Sequence, residues 1–448
     1  MNAFEFILAS RRVVRPEGVG PASILVRGGR IAEVTPGAAA APRTGGIAVT
    51  DVGDSVVMPG LVDTHVHVND PDRAEWEGFE TATRAAASGG VTTIFDMPVH
   101  SVPPTTSRDA FHEKTEAAAG RLRVDVGFWG GLVPGNLAEL SPLRASGVFG
   151  YACSLCPSDV PEFPAVTEHD LLLATERLGD TPFLIHAEWP SLLRPWQGRP
   201  EKYASYLDSR PRAAENEAVA RVVRLSRESG TPIHILHISS AESLDAIARA
   251  KGEGMSVTAE TCPQYLCFDS EEIPDGATEF KCAPPIRERE NRERLWRGLA
   301  DETLDMVVSD HCPCPPEAKK RDSGDFAEAR GGISSLGLTL AATWTAASER
   351  GFSLEDLARW MSAAPARLAG VSAWKGAIEA GKNADFVVWN PETQWRVEPE
   401  RLHQRHKLTP WAGSVLKGVV EATYLKGMKI YERGEFPSSP RGEILLSA

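Results

Sequence analysis

The hydrophobic pattern changes twice along the chain. Residues 1–57 alternate short apolar runs with Gly-, Pro- and Asn-type breaks: Phe4–Leu8, Ser23–Val26, Arg30–Val34 and Val56–Val57. Such runs predict the strands of a small sheet, and Gly28-Gly29 marks a tight turn between two of them. From Leu61 short β-rich runs alternate with helical patterns. The runs are Leu61–His67, Thr92–Met97, Val124–Trp129, Phe149–Leu155, Phe183–Ala187, Ile233–Ile238, Ser256–Thr261 and Met306–Ser309. Helix-like stretches between them include Glu77–Ser88, Asp170–Leu178, Ala213–Glu228, Ala241–Ala250 and Asn291–Leu299. Eight runs separated by helices or long loops predict an α/β fold, a (β/α)8 TIM-like barrel. From about Gly381 the pattern returns to β, with Asp385–Trp389, Glu421–Lys426 and Met428–Tyr431, and Gly427 as a turn. This tail is expected to pair with the N-terminal strands. The division is then 58–380 for the barrel, with 1–57 and 381–448 for one sheet module beside it. Ala38–Ala41 and Pro437–Pro440 read as loops, and the mixed-charge cluster Arg287–Glu293 as solvated surface.

A length of 448 residues suits one barrel plus a smaller module. Hydrophobic residues at 42% and charged residues at 24% are ordinary for a soluble globular protein. The net charge of −13 argues against nucleic acid or an anionic membrane as partner, and suits a cytoplasmic enzyme acting on a small molecule. The first residues, MNAFEFILASRRVV, do not read as a secretion signal. No run of 18 apolar residues predicts a membrane span. The seven cysteines are expected to be reduced thiols. Cys312-Pro-Cys-Pro is too short and stiff for a zinc knuckle, and Cys153 and Cys156 lie on or just after one apolar run, which disfavours a structural cysteine site.

Barrels of this kind carry their chemistry at the C-terminal ends of the strands. The first run, opening with Met58-Pro-Gly, ends in His65 and His67, and residues two apart on a strand share a face. The second ends at Asp96-Met97-Pro98-Val99-His100, the fifth at His186, the sixth at His237 and the eighth at Asp310-His311. Five or six of the eleven histidines therefore fall at one rim. Imidazoles with a carboxylate bind Zn2+ well and lower the pKa of a bound water. Asp310 is placed to take a proton from that water and hand it to a leaving nitrogen. The expected ligands are His65, His67, His186, His237 and Asp310, with Asp310 also the catalytic residue. His234 sits on the other face of its strand and His311 is not a ligand.

These residues resemble the amidohydrolase superfamily, and within it the allantoinases, with dihydroorotases and hydantoinases as relatives. The resemblance rests on Pro59-Gly-Leu-Val-Asp-Thr-His-Val-His67, Glu75-Trp-Glu-Gly-Phe-Glu, Gly89-Gly-Val-Thr-Thr, Asp96-Met-Pro, Lys281-Cys-Ala-Pro-Pro-Ile-Arg, Ser309-Asp-His, Gly331-Gly-Ile-Ser and Arg405-His-Lys-Leu-Thr-Pro. They span nearly the whole chain. The resemblance implies a barrel flanked by a β-sandwich, zinc or a similar divalent ion, ring opening of a cyclic amide (allantoin to allantoate, in purine catabolism), and a homo-oligomer, often a tetramer.

Several positions depart from the resembled family. Its fourth strand usually carries a lysine, carboxylated by CO2, that bridges two metals. The matching segment here is Gly150-Tyr-Ala-Cys-Ser-Leu, and Ala152 holds the lysine position. Without that anion a second ion keeps only two neutral ligands, His186 and His237, so one bound ion is expected rather than two. Tyr151 and Ser154 stand where Phe is usual, His100 for Asn, Gln264 for His, Cys312 for Ser, Arg330 for Trp and Gly337 for Gln. His100, Cys312 and Arg330 are the expected substrate contacts, and Arg330 suits a carboxylate. Three readings stay open: an allantoinase-like hydrolase, a diverged single-metal amidohydrolase with another small substrate, and a non-catalytic relative within a complex.

Overall fold

The computed structural model describes residues 4–37, 46–158 and 160–447; the Ala38–Ala41 stretch lies outside them. Five strands open the chain: β1 (Glu5–Arg15), β2 (Gly18–Arg27), β3 (Arg30–Pro36), β4 (Ala48–Asp51) and β5 (Val56–Pro59). The barrel strands follow as β6 (Leu61–Val66), β7 (Val91–Asp96), β8 (Asp125–Phe128), its short continuation β9 (Gly130–Gly131), β10 (Tyr151–Ser154), β11 (Phe183–His186), β12 (Ile233–Ile235), β13 (Val257–Thr261) and β14 (Met306–Val307). Three more strands, β15 (Phe386–Arg396), β16 (Val415–Leu425) and β17 (Met428–Glu432), end the β structure.

All pairings within the barrel are parallel, β6 to β8 in one sheet and β9 to β14 in another. The ring is completed where β8 runs into β9 and where Val66 bridges His311. His67 N donates to His311 O at 2.8 Å, so the backbone that closes the barrel also carries two rim histidines. The helix Arg212–Ser229 shows why the crossovers pack outside. Its buried Ala214, Ala218, Val222 and Leu225 recur at helical spacing along one face, and Gly230, with φ 74°, ends it in the left-handed conformation. The helix Glu168–Leu178 starts at a capping box between Thr167 and Asp170.

Strands from both ends of the chain form one eight-stranded sheet in the order β17-β16-β15-β5-β1-β2-β3, with β4 beside β1. Alternation along β5 and β15 divides its two faces. Val56, Met58, Val387 and Trp389 join the barrel's core, whereas Val57, Phe386 and Val388 pack with Phe6, Leu8, Ile24 and Val26 in a core of the module's own. Gly28-Gly29, both at positive φ, make the tight turn from β2 to β3, and Lys426-Gly427 repeat it between β16 and β17. The last residues return to the barrel, where Ile444 bridges Val126 of β8. Lys375 ties the two parts together: it is buried and donates to Asp125 on β8 at 2.9 Å and to Asp385 beside β15 at 2.7 Å.

In the cluster Arg287–Glu293, read as solvated surface, Arg289 and Glu290 are exposed, but Arg287 departs from that reading. Arg287 is buried, lies 3.5 Å from the buried Glu215 and donates to Arg210 O at 2.7 Å. A partner 72 residues away in sequence neutralises its charge, so local composition did not reveal its burial.

Candidate active site

The rim histidines and Asp310 meet in a cavity of about 630 Å³ at the C-terminal ends of the barrel strands. His65, at the end of β6, and His67, just past it, both turn inward. Their Nε2 atoms lie 3.4 and 3.6 Å from Asp310 Oδ1, which follows β14. All three residues are buried, and their donor atoms lie within 4.8 Å of one another. Two borderline imidazole nitrogens and a carboxylate oxygen converging on one point fit a divalent ion of the zinc class. On the opposite wall His186 Nδ1 and His237 Nε2 face each other at 3.0 Å. His65 and His237 have ring centroids 5.3 Å apart, so the two pairs share one chamber.

The backbone is forced at these positions. Asp310 has φ 44°, His237 φ 35° and His100 φ 80°, conformations that side-chain-bearing residues rarely adopt. Three of the rim groups are thus aimed at the cavity by turns that immediately leave their strands.

Carboxylates behind the histidines hold the rings. Glu260, at the end of β13, is fully buried. It accepts from His65 Nδ1 at 2.5 Å, from His234 Nε2 at 2.9 Å and from the His237 backbone N–H at 3.2 Å. The Glu260 contact keeps a proton on His65 Nδ1, so Nε2 is the nitrogen that faces the cavity, where a bound ion would take the place of its proton. Burial alone would push the His65 pKa down, but the carboxylates of Glu260 and Asp310 outweigh it and bring it up to about 9. Burial likewise works against the Glu260 carboxylate, yet His65 and His234 hold it well below its usual range. His234 does not face the cavity; its other nitrogen meets Thr258 Oγ1 at 2.8 Å.

Glu188 plays the matching part for His186. It accepts from His186 Nε2 at 2.9 Å and takes Arg210 through two bonds of 3.0 and 2.6 Å. Neither Glu260 nor Glu188 was singled out from the sequence. The available signal was position: Glu260 is the penultimate residue of the seventh strand, in Thr-Ala-Glu-Thr, and Glu188 follows His186 by two residues.

The three expected substrate contacts, His100, Cys312 and Arg330, all line the same cavity. His100 Nδ1 stands 3.1 Å from His67 Nδ1 and 3.9 Å from Cys312 Sγ. The Arg330 guanidinium lies 4.3 Å over the Trp76 ring. Gly332 is required beside Cys312: a Cβ there would meet the Cys312 carbonyl oxygen at 2.3 Å. His311 turns away, 3.3 Å from Glu77, and its Nδ1 accepts from Ser335 N at 3.1 Å.

Ala152 sits on β10 beneath this arrangement. It is buried with Met97 and Leu236 in one apolar cluster, and all three line the cavity. Ala152 thus contributes a methyl group to the cavity lining, and Gln264 Nε2 approaches Asp310 Oδ2 at 3.5 Å.

The family description "Amidohydrolase family" matches residues 56–430, the barrel and the strands that follow it. The chain belongs to the amidohydrolase family. Among curated amidohydrolases, an allantoinase of Streptomyces avermitilis is 49% identical over 449 residues, covering 99% of both chains. An allantoinase of Arabidopsis thaliana is 41% identical, covering 98% of this chain and 90% of its own. Among solved structures, the L-hydantoinase (dihydropyrimidinase) of Arthrobacter aurescens superposes with a TM-score of 0.92 at 32% identity, over 99% of this chain and all of the other. A barrel with a β-sandwich flank is thus shared across the full length of this amidohydrolase. No helix among the described residues is long and apolar enough to cross a membrane.

Proposed function

We propose that this amidohydrolase opens the ring of a small cyclic amide by metal-assisted hydrolysis, with allantoin, opened to allantoate, as the substrate. The observation that carries the reading is the convergence of His65, His67 and Asp310 inside the cavity, in a chain similar to allantoinases over its whole length. Zinc is the proposed ion, held by His65, His67 and Asp310 with His237 or His186 alongside. When bound, such an ion supplies Lewis acidity and lowers the pKa of a water. Ala152 offers no anion between the two histidine pairs, which favours one ion over two.

The chain's own groups then account for the proton traffic. Asp310 takes a proton from the attacking water as its oxygen bonds to the ring carbonyl carbon. It returns that proton to the ring nitrogen as the C–N bond breaks. Burial raises the Asp310 carboxyl above its usual range, although the His65 and His237 charges oppose the rise. Glu260 keeps the His65 tautomer fixed through the cycle, and His100, Cys312 and Arg330 contact the substrate. A second reading, a ring bearing a carboxylate, is favoured by the Arg330 guanidinium on the cavity wall. We place the enzyme in the cytoplasm as a homo-oligomer, on the resemblance and the acidic charge.

The test is hydrolysis of a panel of allantoin, hydantoins and dihydropyrimidines by the zinc-loaded protein. Ring opening of allantoin, abolished in Asp310→Asn, is expected. Turnover of a carboxylate-bearing ring alone would transfer the account to the second reading. No turnover of any ring with metal bound would leave a non-catalytic role.

A further inference from the structure

His67 presents its two nitrogens to two different sets of donors. Nε2 faces Asp310 at 3.6 Å, beside His65. Nδ1 faces His100 Nδ1 at 3.1 Å, and Cys312 Sγ lies 3.9 Å from that same His100 nitrogen. The donor atoms of His67, His100 and Cys312 lie within 4.8 Å of one another, and all three residues line the cavity. Two of the three, His100 and Cys312, are departures from the resembled family, and His100 is held against His67 at φ 80°. Two nitrogens and a sulfur at this separation make a donor set for a borderline or soft divalent cation.

We propose that His67, His100 and Cys312 form a second seat for a divalent cation of the zinc or cadmium type, sharing His67 with the hydrolytic seat. A neutral imidazole has one lone pair on nitrogen, so His67 serves one seat at a time. Whichever of His67 and His100 carries its proton on Nδ1 shifts it to Nε2 when the ion enters the second seat. The hydrogen bond between the rings breaks, and the Cys312 thiol releases one proton to solvent as its sulfur binds. His67 Nε2–H then points at Asp310. One chain has two seats and one shared ligand, so a thiophilic ion in the second seat removes a ligand from the first. The other sulfur-containing group, Cys156 with His186 and Glu188, is a poorer candidate. Its carboxylate already pairs with Arg210, whose Nη2 lies 3.9 Å from Cys156 Sγ and repels a cation.

The full chain, stripped of metal, would be titrated with Co2+ and read in the near ultraviolet for thiolate-to-cobalt charge transfer. This signal reports a sulfur–metal bond whether or not any ring is hydrolysed. The band is expected in the unaltered protein and in Cys156→Ser, and is expected to be lost in Cys312→Ser and weakened in His100→Asn. On the unaltered protein, cadmium, the more thiophilic ion, is expected to slow alkylation of Cys312, mapped by mass spectrometry. The proposal is overturned if bound cobalt gives no band, if no cobalt binds, if the band survives in Cys312→Ser, or if cadmium leaves Cys312 alkylation unchanged.

Discussion

Replacing Glu260 by Gln asks whether a buried carboxylate behind His65 is what makes the metal seat. Glu260 carries three acceptor contacts, to His65 Nδ1 at 2.5 Å, His234 Nε2 at 2.9 Å and His237 N at 3.2 Å. A glutamine can keep its oxygen on the His65 and His237 side. Its NH2 would then face His234 Nε2, and that ring can move its proton to Nδ1 because the Thr258 hydroxyl opposite it can rotate to accept. Shape and hydrogen bonds survive, and only the charge is lost. Mutating an outer partner of a metal-binding histidine, which raises the ligand's basicity, typically costs about 10–100-fold in affinity. Zinc affinity, measured by competition with a chromophoric chelator, is therefore expected to fall by about that factor, with a stability loss of only about 1–2 kcal/mol as charge-assisted bonds become neutral ones. Glu260→Ala removes the acceptor from three buried groups and should cost about 3–5 kcal/mol in urea unfolding. Wild-type zinc affinity in Glu260→Gln would refute the claim that the Glu260 charge strengthens His65 as a ligand.

Asp310→Asn should lower turnover by about 10²–10⁴-fold in a steady-state assay while circular dichroism stays unchanged. Ala152→Lys, prepared with bicarbonate, should raise the metal content from one ion towards two per chain by elemental analysis, because the cavity floor would regain an anion. Lys375→Met should cost about 3–5 kcal/mol by leaving the buried Asp385 without its cation and Asp125 with only Lys426, 3.5 Å away. Burial opposes the Lys375 charge, but Asp385 and Asp125 outweigh it and raise its pKa above 10.5. A raised pKa stabilises the fold fully below the unfolded value and loses that contribution as pH rises through the folded one. The unaltered protein should therefore lose stability above about pH 10.5, and Lys375→Met should show a flatter profile there.

The barrel was legible because each strand is a short apolar run bounded by breaks, and all eight runs coincide with strands β6 to β14 to within a few residues. His65, His67, His100, His186, His237 and Asp310 were legible as neighbours because strand ends in a barrel converge, so residues 246 positions apart, such as Asp63 and Ser309, come into contact; Cys312 and Arg330 were reached only as departures from the resembled family. Their supporting partners were not. Glu260 lies within a strand and reads as an ordinary polar position, and its function appears only when His65 and His234 arrive from two other strands. Glu188 with Arg210, and Arg287 with Glu215, are pairs whose burial depends on a distant opposite charge. The division of rings between two donor sets at His67 also needed coordinates, since it depends on which nitrogen faces which neighbour.

The central claim is a ring hydrolase working with one ion per chain. The most direct measurement is allantoin turnover by the metal-stripped protein as zinc is added from zero to three equivalents. The account predicts no turnover without zinc and a rise that levels off at one equivalent. A plateau only at two equivalents would contradict the single-ion site, and no turnover at any equivalent would contradict the assignment of allantoin as substrate.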